Sequence, residues 1–399
     1  MAWKQTNPME QKTLFIKAWL SQRFTKSDLC EQFGISRPTA NKWIERFKQG
    51  GFPGLQELSR KPHYSPNATP QWIVEWLVSE RRKRPDWGAK KLLDLFEQRF
   101  PEAKKPADST GDLILARAGL VKPRKVRRHT PADSLPFAEC DAPNTTWCVD
   151  FKGQFQLGDQ KWCYPLTVSD QFCRYLLLCQ ALPNTLGDPV KAQFERLFYE
   201  FGLPWNIRSD NGSPFASTAL GGLSKLAKWW IDLGIRPERI RPAHPEQNGH
   251  HERMHRSLKA CLLKREAIAG NLADQQAMFD AFVHEYNHER SHESLLDDDK
   301  KRQTPASLYQ PSSRIYTGKI EDYDYGQGVE LRRVKPSGEL CWQGEIYYLS
   351  QILKQETVAF VPYADGIWHI YYRFHFLGQM DDREKKITPA SSWHINHTM

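Results

Sequence analysis

Apolar residues recur at helical spacing through the first fifty positions. Leu14, Phe15, Ala18 and Trp19 form one stripe and predict a helix over 10–20. A short second helix carries Leu29 and Phe33. Gly34 breaks it, Ile35 turns inward, and Ser36 is a good N-cap for a third helix. In this third helix Ala40, Trp43, Ile44 and Phe47 stand at i, i+3, i+4 and i+7, so the other face presents Arg37, Thr39, Asn41, Lys42 and Arg46. A helix, a glycine turn and a capped helix with a basic polar face make a helix-turn-helix, whose second helix fits the major groove. A plain three-helix bundle is the competing reading.

Residues 51–69 form a Gly/Pro/Ser-rich linker. A second helical unit over 70–120 has stripes at Trp72, Ile73, Trp76, Leu77 and at Leu92, Leu93, Phe96. Ser109 or Thr110 can cap its third helix. Residues 121–145 read as a basic arm, in which Lys122, Arg124, Lys125, Arg127 and Arg128 can track phosphates. From Trp147 the pattern changes to strands at 147–156, 161–169 and 173–180, and then to alternating helices and strands, giving β-β-β-α-β-α-β-α. Hairpins followed by parallel additions to one sheet are expected. Asp188 and Pro189 look like the start of the first helix of that series. This core with its following helices spans 146–310. Short strands with tight turns over 325–385 predict a small β-barrel. The expected fold is multidomain: all-α helix-turn-helix domains, an α/β core, and a terminal barrel.

Charge sharpens the picture. The chain has 399 residues and net charge +9. Residues 1–130 hold 26 Lys and Arg against 13 Asp and Glu, while residues 131–399 hold 30 against 34. The excess positive charge therefore sits in the first third, which suits a polyanion-binding front end. No apolar run approaches the roughly 18 residues of a membrane span. The eight cysteines contain no Cys-x-x-Cys, so reduced cytoplasmic thiols are expected rather than a disulfide scaffold.

Three carboxylates sit where chemistry needs them. Asp150 follows the apolar run Trp147-Cys148-Val149, although Asp is disfavoured inside strands. Asp210 ends the fourth strand before Asn211-Gly212, the position where α/β sheets place functional groups. Glu252 lies on a helix with Arg256 at i+4 and Lys259 at i+7. Gathered carboxylates repel one another unless cations stand between them, and hard Mg²⁺ ions take oxygen ligands. A pair of such ions can activate an attacking oxygen and stabilise a leaving one at phosphorus.

The segments Trp147-Cys148-Val149-Asp150-Phe151, Ser209-Asp210-Asn211-Gly212-Ser213-Pro214-Phe215 and His244-Pro245 through Asn248-Gly249-His250-His251-Glu252 to Lys259 resemble the DDE transposases of bacterial insertion sequences, which share a retroviral-integrase-type core. Tyr286-Asn287, Arg290-Ser291-His292, Leu295 and Thr304-Pro305 resemble the segment after that core. The resemblance implies a ribonuclease-H-like fold. It makes Asp150, Asp210 and Glu252 the catalytic and metal-binding triad, holding two Mg²⁺ ions with Mn²⁺ as a substitute. It makes Arg256 and Lys259 contacts to the end of the element DNA. It further implies binding of terminal inverted repeats in double-stranded DNA, 3′-end cleavage, strand transfer into target DNA, and a dimer or higher oligomer on DNA. A bacterial, nucleoid-associated location and no membrane partner are implied as well. The 41 residues between Asp210 and Glu252 exceed the gap of the best-known branch. They predict an extra or longer helix over 217–234. There is no His-His-Cys-Cys zinc domain at the start.

Two other readings compete. His251-Glu252-Arg253-Met254-His255 and His284-Glu285-Tyr286-Asn287-His288 both spell H-E-x-x-H, the zinc-hydrolase pattern, and His292 could add a third ligand at i+4. Thirteen histidines make chance matches plausible, and an active centre needs only one. The second alternative is a DNA-binding regulator with an inactive ribonuclease-H-like domain.

Overall fold

The computed structural model describes residues 7–58, 66, 68–121, 137, 140–217, 220–240, 245–265 and 268–390. The expected arm residues Lys122, Arg124, Lys125, Arg127 and Arg128 lie outside the described residues. The chain forms two compact units, Met1–Ala68 and Thr69–Met399.

In the first unit, α1 (Pro8–Leu20), α2 (Lys26–Gln32) and α3 (Arg37–Gly50) are each started by a side-chain cap: Asn7, Thr25 within a Thr25/Asp28 capping box, and Ser36. Gly34 takes φ +62° between α2 and α3, the left-handed turn that a Cβ would strain. Phe15, Ile16, Leu29, Ala40, Trp43, Ile44 and Leu55 close the core. This is the helix-turn-helix order that the apolar stripes require.

The second unit begins with α4 (Gln71–Lys83), α5 (Ala89–Arg99) and α6 (Asp108–Arg117), packed around Leu77, Trp87, Leu92 and Phe96. Helix α6 starts at Asp108, so Ser109 and Thr110 lie inside its first turn and not at the cap.

The core sheet follows with β1 (Thr146–Phe151), β2 (Phe155–Gln156), β3 (Trp162–Asp170) and β4 (Leu176–Leu182). Next come α7 (Gly187–Phe201), β5 (Asn206–Ser209), α8 (Lys225–Asp232), β6 (Arg236–Arg239), α9 (Gly249–Lys264) and α10 (Leu272–His284). Strand β3 pairs antiparallel with β1 and β4, whereas β5 and β6 extend the sheet parallel to β1. Two corrections concern helix lengths. Helix α7 starts at Gly187 after Leu186, so Asp188 and Pro189 fall in its first turn. The longer helix expected over 217–234 is instead a 3-10 turn at Leu220–Gly222 and the eight-residue α8.

Each face of the sheet is covered. Val190, Phe194, Leu197 and Phe198 of α7 meet Trp229 and Trp230 of α8 on one side. On the other, Met254, Leu258 and Leu262 of α9 meet Phe279 and Phe282 of α10. Burying each such side chain contributes about 1.5–3 kcal/mol. Helix α10 ends in a π-helical turn at Glu285–Glu289. This turn buries Asn287, whose amide accepts from Leu176 N at 2.8 Å and donates to Leu176 O at 2.9 Å, acting as a strand partner for β4. The hairpin β7 (His292–Leu296) and β8 (Arg302–Gln303) follows, with α11 (Pro305–Leu308) after it.

The α4–α6 helices are held to this segment by ion pairs. Arg84 reaches Glu285 at 3.1 Å and Glu289 at 2.5 Å; Arg265 reaches Asp86 at 2.7 Å and Glu285 at 2.8 Å. Arg302 joins Asp94 at 2.7 Å and Asp108 at 3.1 Å.

The terminal strands are β9 (Glu330–Arg333), β10 (Glu339–Trp342), β11 (Glu345–Tyr348), β12 (Thr357–Ala364), β13 (Ile367–Tyr372), β14 (His375–Asp381) and β15 (Lys386–Pro389). Five run in the order β15-β14-β13-β12-β9, and β10-β11 is a separate hairpin. For the expected small β-barrel the described residues show a five-stranded sheet and a hairpin, with no ladder joining β15 to β9. The hairpin covers the sheet instead, with Trp342 stacked on Phe360 at 4.2 Å. No helix among the described residues is long and apolar enough to cross a membrane.

Candidate active site

Register places the first two carboxylates side by side. Trp147 faces Ile207 and Cys148 faces Arg208 across the parallel β1–β5 pair, so two residues further on Asp150 stands level with Asp210. Asp150 stands near the carboxyl end of β1 and Asp210 directly after the carboxyl end of β5, where α/β sheets place functional groups. Asp210 accepts from Gly212 N at 3.1 Å. A Cβ at Gly212 would stand 3.0 Å from Asp210 Oδ2, so a side chain there would press on this carboxylate.

Glu252 comes from α9, which packs across the same sheet face. Helix α9 buries His251, Met254, His255, Leu258, Cys261 and Leu262. Glu252, Arg256 and Lys259 flank this stripe and are exposed. Burial, then the charge of Asp210, pushes the Asp150 carboxyl up to about 7; Glu252 adds to this, while the Phe151 backbone N–H and Lys152 oppose it. Asp150 thus feels both other carboxylates. Among the described residues no three His, Cys, Asp or Glu side chains form a preassembled metal cluster.

The two histidines of the first H-E-x-x-H motif hold the helix to the sheet. Thr167, paired with Asp150 in the ladder, donates from Oγ1 to Asp150 O at 3.0 Å. The same oxygen lies 2.8 Å from His251 Nε2 and 2.7 Å from His255 Nε2. With its proton committed to the carbonyl, the hydroxyl accepts from both rings, which assigns the Nε2–H tautomer to each. Ser169 Oγ then donates to His251 Nδ1 at 2.7 Å. Burial keeps both rings uncharged, holding His255 down to about 3 and His251 well below its ordinary value. His255 Nδ1, 3.8 Å from Asp150 Oδ2, is therefore a lone pair and not half of an ion pair.

The zinc-hydrolase reading is corrected on this ground, because both Nε2 atoms are spent on one hydroxyl. The second motif fails as well. The chain leaves the helix before His292, which begins β7, so His292 does not stand one helical turn beyond His288. Thr167→Val should leave buried ring nitrogens without a partner and cost about 2 kcal/mol or more in urea unfolding. An unchanged unfolding midpoint would exclude this role.

The predicted helix-turn-helix contacts occupy a separate unit. Arg37, Asn41 and Lys42 are exposed on α3, with Thr39 half-buried beside the cap. Arg46 is drawn inward, its guanidinium 5.0 Å from the centre of the Trp43 ring, so it packs more than the helical pattern suggested.

Residues 141–245 and 233–298 match the integrase core domain family, residues 11–63 match a helix-turn-helix domain, and residues 39–115 match a homeodomain-like domain. The fold is thus that of a ribonuclease-H-like α/β core. The chain carries an integrase core domain preceded by helix-turn-helix domains. Among curated relatives, the Gag-Pol polyprotein of feline leukemia virus is 31% identical over 129 residues, 32% of this chain and 7% of that protein. The Pol polyprotein of radiation murine leukemia virus (strain Kaplan) is 29% identical over 128 residues, 32% of this chain and 21% of that protein. The chain therefore spans a small part of these relatives. Among solved structures, the HTLV-2 integrase catalytic core domain in complex with magnesium is 17% identical with TM-score 0.33, covering 42% of this chain and 98% of that one. A simian T-cell lymphotropic virus intasome in complex with PP2A regulatory subunit B56 gamma is 15% identical with TM-score 0.38, covering 73% and 91%.

Proposed function

We propose that the protein is a DDE transposase, a polynucleotidyl transferase that binds the terminal inverted repeats of its element and joins their 3′ ends to target DNA. The observation that carries this reading is the level placement of Asp150 and Asp210 on adjacent parallel strands, under the helix that bears Glu252. The donor set is oxygen-only, and the strained carboxyl of Asp150 is the kind that a hard cation relieves. Asp150, Asp210 and Glu252 would hold Mg²⁺. When bound, the metal supplies charge stabilisation at the reacting phosphorus.

In the first reaction water attacks the phosphorus at the element end, the P–O3′ bond breaks, and a 3′-hydroxyl is released with the proton. In the second, that hydroxyl attacks a target phosphodiester, loses its proton, and expels a target 3′-oxygen. Arg256 and Lys259, on the flank of α9 that carries Glu252, would hold the transferred strand. The face of α3 with Arg37, Asn41 and Lys42 exposed, and Thr39 and Arg46 at its edge, would read the repeats, and the arm at 122–128 would follow phosphates. Two ends must be brought together, so a dimer or higher oligomer on DNA is required.

The test is Mg²⁺-dependent nicking and joining of DNA carrying the repeats that flank the gene, with Mn²⁺ as a substitute. Specific binding without any cleavage would favour the regulator reading. Lys259→Ala should weaken binding to element ends and lower the dependence of log affinity on log salt by about one. Unchanged end binding would remove Lys259 from this role.

A further inference from the structure

Helix α9 has a second flank. Glu252, Arg256 and Lys259 lie on one side of its buried stripe; His250, Arg253 and Ser257, spaced i, i+3, i+7, lie on the other. This second flank lines a cavity of about 730 Å³, together with the start of α5 and the segment 286–294. We propose that this cavity is a phosphate-binding pocket that takes a backbone phosphodiester of a nucleic-acid strand, separate from the phosphate at the carboxylates.

The charge balance comes first. Lys90, Lys91, Arg174, Arg253, Arg290 and Arg302 line the cavity against only Asp112 and Glu293. Arg302 is committed to Asp94 and Asp108, and Lys90 to Glu293 at 3.0 Å. Lys91, Arg174, Arg253 and Arg290 have no carboxylate at ion-pair distance among the described residues. Burial and the neighbouring Arg290 hold Lys91 down to about 8, against the pull of Asp86 and Glu293. Positive charges pressed together in this way are stabilised by an anion.

Unmet donors come second. Arg174 Nε and Arg290 Nε are guanidinium donors shielded from solvent and without a hydrogen-bond partner, and the uncharged His292 ring nearby has an unpaired Nε2. Buried polar groups are nearly always paired, so two unpaired guanidinium donors on residues that line one cavity point to a missing acceptor. Phosphate oxygens suit guanidinium donors in particular. The first turn of α5 adds to this. Gly88, Ala89 and Lys90 line the cavity, and the N-cap Gly88 offers no side-chain bond to the free N–H groups.

The cavity lies on the other flank of α9 from Glu252, which points to a phosphate other than the scissile one. The buried stripe of α9 separates the cavity from Glu252, so a strand held here is gripped elsewhere along its length. The pocket also spans two parts of the second unit, since Lys90 and Lys91 come from α5 and Arg253 from α9. Docking of the α4–α6 helices on the core is therefore what completes it. That the phosphate belongs to DNA rests on the transposase reading; the pocket's preference for phosphate does not.

The test uses the full chain and two probes, inorganic pyrophosphate and a labelled single-stranded DNA. Lys91→Met and Arg290→Gln remove half-buried charge, and Arg253→Gln changes an exposed side chain. Pyrophosphate should raise the Tm of the wild type and fail to do so in Lys91→Met. Each variant should bind the DNA roughly tenfold more weakly, with a salt slope shallower by about 0.7. Wild-type affinity and slope in Arg253→Gln and in a folded Lys91→Met would overturn the pocket, even if the wild type nicks DNA. Protection by pyrophosphate with unchanged DNA binding would replace the strand with a free phosphate compound. Loss of pyrophosphate protection in the variants, with no metal-dependent nicking by the wild type, would keep the pocket and reject the transposase reading.

Discussion

Asp150→Asn should abolish nicking and strand transfer while leaving the protein folded. A metal-supported charge at phosphorus is worth several kcal/mol, so the loss is on the order of 10³-fold or more. The side chain is one-quarter exposed, and its carboxyl is raised to about 7 by burial and Asp210. A carboxyl raised in the folded state costs stability wherever the unfolded chain would ionise it. In metal-free buffer the asparagine variant should therefore be equal to or more stable than the wild type above pH 7. The difference should shrink as pH falls and vanish below about pH 4, where the group is protonated in both states. Thermal melts across this range, beside a nicking assay, separate chemistry from folding. Activity within tenfold of wild type would end the triad assignment. A lower Tm at pH 8 would show that Asp150 is structural.

The second large effect is expected at Arg302. Its guanidinium lies against Asp94 at 2.7 Å, and Ser291 donates to the same carboxylate. Burial pushes Asp94 up, but the hydrogen bonds from Arg302 and Ser291 and the charges of Arg302 and Lys105 outweigh it and hold the carboxyl below its ordinary range. Arg302→Ala leaves Asp94, with a side chain 9% exposed, without its main partner. Removing one member of such a buried pair costs about 3–5 kcal/mol. The variant should lose the docking of α4–α6, read as faster amide exchange in α5 and α6 than in the sheet. The wild type should show a weaker form of the same loss in acid. A depressed carboxyl contributes its stability above the unfolded value near 4, and this fades as pH falls through the folded value. Uniform exchange, with α5 as protected as β1, would show that the helices dock without this pair.

Local elements were legible where a single period dominated. The stripe Ala40, Trp43, Ile44, Phe47 led to α3, and the cap at Ser36 fixed its start. The alternation from Trp147 led to the strands of the core. Errors appeared where the signal was two residues wide or came from elsewhere. Asp188-Pro189 resembles an N-cap and first helical residue, yet α7 begins two residues earlier, with Leu186 at the cap. The wide gap before Glu252 suggested a long helix, but much of it is a 3-10 turn and a short helix whose Ile231 packs beneath the terminal sheet.

The same division holds at the candidate site. Residue type and spacing singled out Asp150, Asp210 and Glu252, since a carboxylate ending an apolar strand is unusual and needs a reason. Spacing also offered two H-E-x-x-H motifs, and nothing in the sequence could reject them. The register of β3 rejected the first, by bringing Thr167 and Ser169 under His251 and His255, and the chain's exit from the helix before His292 told against the second. The basic pocket was equally hidden, because Lys91, Arg174, Arg253 and Arg290 are scattered over two hundred positions. By itself the sequence determined the helix faces, the strand-end acids and the basic front third, because each depends on neighbours a few residues apart. The tertiary structure alone decided which imidazoles are structural, how α4–α6 seat on the core, and where the cations converge. Those outcomes depend on contacts between distant segments, which no local period records.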